Sequence, residues 1–140
     1  MRASLLRATN VTLAAALAPA LLVAAAAPAS AAPAGNCGYQ QYCFATTVDD
    51  PVTRDLTVVC GAAGPATAQV TVVSCYVVGN NGDVHYGPRT LTSGISTVST
   101  WTVPAWSRRS TSYTVCVGAG YYSTGGTYYA PANYICGSTV

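Results

Sequence analysis

The segment ATAQVTVVSCYVV, residues 66–78, decides how this chain folds. Val70, Val72, Ser74 and Tyr76 fall on one side of an extended backbone, and Thr71, Val73, Cys75 and Val77 fall on the other. β-Branched residues dominate it, and it shows no 3.6-residue period. GNNGD (79–83) then reads as a hairpin turn, because Asn81-Gly82 accepts positive φ, and VHYG (84–87) returns as a short strand broken by Pro88. The same pattern continues outward. DLTVVC (55–60) precedes the turn GAAGP, GISTVSTWTV (94–103) ends at Pro104, and STSYTVCVGAGYY (110–122) and TYYAPANYIC (127–136) follow. The expectation is an all-β fold: a single disulfide-stapled antiparallel β-sandwich with Greek-key crossings.

The first thirty-one residues read differently. Arg2 and Arg7 precede the apolar run VTLAAALAPALLVAAAA (11–27), and ASAA places an Ala-x-Ala cleavage site after Ala31. This is the pattern of a cleaved secretory signal peptide, leaving no membrane span after cleavage. The expected organisation is residues 1–31 as signal, 32–54 as an N-terminal segment in which Cys37 and Cys43 close a small loop, and 55–140 as the β-sandwich core.

Two of the six basic residues leave with the signal. Arg54, Arg89, Arg108 and Arg109 then balance Asp49, Asp50, Asp55 and Asp83, with no lysine or glutamate, so the mature chain is formally neutral. A nucleic-acid partner needs a basic footprint, which is missing. All six cysteines lie in the exported part, and an even count in a short secreted chain reads as a disulfide framework. His85 is the single histidine and no Cys-x-x-Cys occurs, so metal-ligand spacing is absent and no cofactor is implied.

YTVCV (113–117), preceded by a polar turn and followed by a glycine-containing hairpin, resembles strand F of immunoglobulin and fibronectin type III sandwiches. In those domains a tyrosine near the start of that strand hydrogen-bonds back across the preceding corner, a role the resemblance gives to Tyr113. The tyrosine stands three residues before Cys116 instead of two. SCYVVGNNGDVHYGP together with YTVCV also resembles small secreted proteins of actinobacteria, over residues 55 to 136. The resemblance implies an immunoglobulin-like sandwich in which Cys75 pairs with Cys116 between the sheets, Cys60 with Cys136 and Cys37 with Cys43. It implies no activity.

Groups for catalysis are scarce. Asp83 and His85 share a strand face and can mimic an orienting Asp-His pair, but no Gly-x-Ser-x-Gly elbow accompanies them. Asp49, Asp50 and Asp55 lack the loop of a calcium site. GAGYYS (118–123) lacks the third glycine and the helix of a dinucleotide fingerprint. The reading is therefore non-enzymatic.

All ten tyrosines lie beyond the signal. Tyrosine supplies rigid contact area with a polar tip, and it also pairs well across strands. In YYSTGGTYY (121–129) a two-residue turn sets Tyr122 against Tyr129, whereas a three-residue turn sets Tyr122 against Tyr128 and Tyr121 against Tyr129. Either way adjacent tyrosines point to opposite faces, so one of each pair is expected to cover the core and the other to meet solvent. In WTVPAWSRRS (101–110), Trp101 reads as core, and Trp106 with Arg108 and Arg109 as an exposed loop. The favoured function is a secreted binding module for an extracellular protein or glycan, using Tyr121, Tyr122, Tyr128 and Tyr129 or the Trp106–Arg109 loop. A self-associating envelope protein, an inhibitor of a secreted hydrolase and a small hydrolase using His85 are the alternatives.

Overall fold

A computed structural model describes residues 32–38 and 40–138; the signal-peptide reading falls on residues outside this range. The described residues form ten strands: β1 (Ala34–Gly38), β2 (Gln41–Asp49), β3 (Leu56–Ala63), β4 (Ala68–Gly79), β5 (Val84–Tyr86), β6 (Thr90–Ser93), β7 (Ser96–Val103), β8 (Tyr113–Ser123), β9 (Tyr128–Tyr129) and β10 (Ile135–Ser138). A single 3-10 turn, Ala105–Ser107, is the helical element among the described residues.

The strands build two antiparallel sheets. One has the order β1-β2-β3-β7; the other has β10-β8-β4-β5, with β6 also on β4 and β9 also on β8. The chain changes sheet between β3 and β4, between β6 and β7, and again between β7 and β8. Residues 34–49, unread as strands from sequence, supply β1 and β2; β1 pairs with β2, and β2 runs along β3 through an eight-residue register from Tyr42↔Ala63 to Asp49↔Leu56.

One hydrophobic core is shared by both sheets. Leu56, Val58, Cys60 and Ala62 from β3 and Cys43 and Ala45 from β2 meet Val73, Cys75 and Val77 from β4 and Val115, Val117 and Ala119 from β8. The alternation read in residues 66–78 holds from Val73 onward, with Val73, Cys75 and Val77 buried and Ser74, Tyr76 and Val78 half-buried; Val72, on the other side, is buried as well. Trp101 packs partly buried against this core.

Three disulfides close the framework, and two differ from the pairing the resemblance implied. Cys37–Cys43 forms as expected, but Cys60 pairs with Cys75 and Cys116 with Cys136. The reason is strand phase. Cys75 stands opposite Val117 and faces the core, whereas Cys116 stands opposite Tyr76, on the other side of the same sheet. Cys75 and Cys116 therefore cannot meet. Cys75 instead reaches Cys60 on the facing sheet, with Cα atoms 6.4 Å apart, and Cys116 meets its cross-strand neighbour Cys136 at 4.2 Å.

The last expected strand also divides. Pro131 interrupts TYYAPANYIC, leaving β9 against Tyr121–Tyr122 and β10 against residues 114–117 of the same β8 edge. The intervening loop carries Tyr134.

Candidate functional site

The outward side of β4 carries Ser74, Tyr76 and Val78, alternating with the buried set. Across the Asn81-Gly82 turn, the β4–β5 register sets Tyr86 opposite Tyr76 and Val84 opposite Val78. On the other flank Ser74 lies opposite Gly118. That glycine has a steric job: a Cβ there would stand 2.9 Å from the Tyr134 ring, so only a bare backbone lets this ring lie down on the sheet. Tyr134, Tyr76 and Tyr86 consequently form a row, with ring centroids 5.4 and 5.7 Å apart and planes tilted by 60° and 42°.

This row lines a depression of about 470 Å³ that also includes Ser74 and Arg89. Tyr86 is 78% exposed and Tyr134 43%, so ring faces are open to a ligand. Arg89, exposed and just after Pro88, holds no hydrogen bond or ion pair with any other described residue. Sequence reasoning missed this site. Its three rings come from three separate elements, and only the Tyr76–Tyr86 pair was open to inference, by counting outward from the Asn81-Gly82 turn.

The tyrosine hairpin takes the three-residue turn. Tyr121 stands opposite Tyr129 and Tyr122 opposite Tyr128. Ser123 N–H donates to Thr127 O, Gly126 N–H donates to Ser123 O, and Gly126 sits at φ 78°, where glycine is favoured. Tyr121 and Tyr129 stack at 4.7 Å with planes 9° apart, and Tyr122 and Tyr128 lie 4.8 Å apart at 36°. Exposure divides by strand instead of by face: Tyr128 and Tyr129 on short β9 are exposed, and Tyr121 and Tyr122 on β8 are half-buried. Much of each ring is thus engaged with its partner.

The Trp106–Arg109 loop is divided too. Trp106 is 88% exposed on its 3-10 turn. Arg108 turns inward, its Nη1 and Nη2 donating to Asp49 Oδ1 and Oδ2 at 3.0 and 3.1 Å and Nη1 also to Arg54 O at 2.6 Å. Its guanidinium lies 5.5 Å from the centre of the Tyr113 ring. The Asp49 hydrogen bonds push the Arg108 pKa up. Arg109 is exposed, and its backbone is fixed: its N–H donates to Asp83 and to Tyr113, and its carbonyl accepts from Asn81 Nδ2.

Asp83 is the hub of that corner. Its Oδ2 accepts from Tyr113 Oη at 2.8 Å, from Arg109 N–H at 3.0 Å and from His85 Nε2 at 2.9 Å. The Arg109 N–H first, then the Tyr113 hydroxyl and His85, hold its carboxyl down from 3.8 to about 2. Tyr113 Oη meanwhile accepts from the Arg109 and Ser110 N–H groups at 3.2 Å, reaching back across the turn before β8. The Asp83–His85 contact noticed in the sequence exists, and its carboxylate anchors this corner. The remaining aspartates are also occupied: Asp50 caps the turn at Val52 and Thr53, and Asp55 Oδ1 accepts the Ala105 N–H. No group of histidine, cysteine and acidic residues suited to a metal occurs among the described residues, and no helix there is long and apolar enough to cross a membrane.

Set against protein-family models, curated proteins and solved structures, the chain matches none. Its function has to be argued from the geometry above.

Proposed function

We propose that this protein is a secreted, non-enzymatic binding module that holds a glycan on the Tyr134–Tyr76–Tyr86 row. The row carries the reading. Aromatic faces offer an apolar surface to the C–H faces of sugar rings, while Ser74 and the phenol tips offer hydrogen bonds to hydroxyls, the mix of apolar wall and few polar groups that ligand sites use. The scaffold is an immunoglobulin-like sandwich, a reading supported by the sheet orders, by the three changes of sheet and by the Tyr113 corner. Three disulfides support an extracellular home, and a likeness to small secreted actinobacterial proteins fits it.

Affinity electrophoresis through gels containing different polysaccharides tests this. Tyr86→Ala is expected to weaken binding roughly tenfold or more, the loss of about 1.4 kcal/mol that a central aromatic contact supplies. Its side chain is largely exposed, so folding is spared. An unchanged mobility shift, or an equal loss from Trp106→Ala, would move the site elsewhere.

A second reading, self-association, is favoured by the outer face of the other sheet. Tyr42, Phe44, Val48 and Val98 are exposed there, and no charged residue stands among the outward positions of β2, β3 and β7. If a second copy covers this face, sedimentation equilibrium finds dimer in the wild type and monomer in Val98→Glu. A monomer at high concentration removes this reading.

A further inference from the structure

Arg89 narrows the ligand class. Resting on the glycan reading above, we propose that the cleft selects an acidic polysaccharide, with the ligand's carboxylate or phosphate on the Arg89 guanidinium and its sugar rings on Tyr76, Tyr86 and Tyr134.

The distribution of charge carries this. Arg89 is the one charged residue lining the cleft, and none of the four aspartates reaches it. Each carboxylate is committed elsewhere: Asp49 to Arg108, Asp50 to its own turn, Asp55 to the Ala105 N–H and Asp83 to the corner. The two arginines flanking Trp106 differ from Arg89. Arg108 is locked in a bidentate pair, and Arg109 lies at the far corner beside Asp83. Arg89 is instead exposed, unpaired among the described residues, and lines the same cleft as the exposed Tyr86 and Tyr134 rings and the half-buried Tyr76.

A guanidinium presents a planar fork of donors that matches the two oxygens of a carboxylate or phosphate. With no neighbouring carboxylate to satisfy it, that fork is open to an anion from solution. The same charge argues against a cationic guest. Tyrosine rings alone would attract a quaternary ammonium, but a fixed positive charge on the same wall repels it. An uncharged sugar would use the rings and leave the guanidinium idle, so the acid group is what distinguishes the preferred ligand.

Polygalacturonate and its fully methyl-esterified form present the same rings with and without charge, and a phosphorylated mannan presents the phosphate alternative on sugar rings. Titration calorimetry of the wild type is expected to show at least tenfold tighter binding of an acidic polymer than of the ester, and the tighter of the two acidic polymers names the anion. Arg89→Gln is expected to erase that preference while keeping the weak affinity for the ester. Arg89→Lys restores part of it, and Arg109→Gln leaves it intact. Equal affinity of the wild type for acid and ester overturns the acidic-ligand proposal and leaves the glycan reading standing, as does an Arg89→Gln variant that keeps the preference. Absence of binding to every polymer, charged or not, overturns both. Equal losses from Arg89→Gln and Arg109→Gln would show diffuse polyanion attraction and overturn the proposal as well.

Discussion

Replacing Cys60 and Cys75 together by alanine is expected to lower the unfolding free energy by about 3 kcal/mol, the chain-entropy value for a cross-link closing a loop of about 15 residues. The two cysteines are 15 residues apart, and both side chains lie in the core shared by the two sheets, so the loss is global. Cys116–Cys136 closes a loop of similar size, with a separation of 20, but ties short β10 to the edge of β8. Removing it is expected to fray the end of the chain before the rest unfolds. Hydrogen exchange separates the two cases: core amides of β3 and β4 lose protection in the first variant, and those of β10 in the second. Denaturant midpoints that move by less than the equivalent of about 1 kcal/mol in the Cys60→Ala/Cys75→Ala variant would contradict the inter-sheet placement. Peptide mapping of the oxidised protein gives an independent check, because a Cys75–Cys116 peptide would restore the pairing the resemblance implied.

That correction shows where the sequence was informative. Alternation in residues 66–78 separates two faces, and Val73, Cys75 and Val77 lie on the core side, with Val72 buried on the other. The same reasoning applied to YTVCV puts Tyr113, Val115 and Val117 on one side and Cys116 on the other, as found. Strand phase, which sets Cys75 and Cys116 on opposite sides of one sheet, decides the pairing. The near-palindrome at 121–129 fixed its possible registers because a glycine turn permits few closures. It did not fix exposure, which follows from β9 being a two-residue edge strand. β2 is illegible because its alternation is inverted: Gln41, Cys43 and Ala45 are buried while the larger Tyr42, Phe44 and Val48 face outward. The aromatic cleft was illegible for a deeper reason. Tyr134 reaches Tyr76 only because Pro131 breaks the last strand and Gly118 clears space beneath the ring, two events with no local signature linking them.

Tyr113→Phe is expected to cost about 1–3 kcal/mol at neutral pH, the usual worth of a part-buried hydrogen bond to a charged carboxylate. The lost hydroxyl accepts from two backbone N–H groups and donates to Asp83, and Tyr113 is buried at the end of the shared core. This cost should be bell-shaped in pH, because the contact joins two titrating groups. Folding depresses the Asp83 pKa, so the carboxylate's contribution is complete above the ordinary 3.8 and is lost as pH falls through about 2. Burial first, and then donation to Asp83, raises the Tyr113 pKa above its ordinary 10.0. Its contribution is therefore complete below that value and is lost as pH rises through the folded-state pKa. The difference between wild type and Tyr113→Phe should consequently be widest in the neutral range and shrink toward both extremes. Guanidinium unfolding of both proteins, carried from acid to alkali, measures it. The absence of any difference across the whole range would mean that Tyr113 acts through its ring alone, packed beside Arg108 and His85, and that its hydroxyl does not hold the corner.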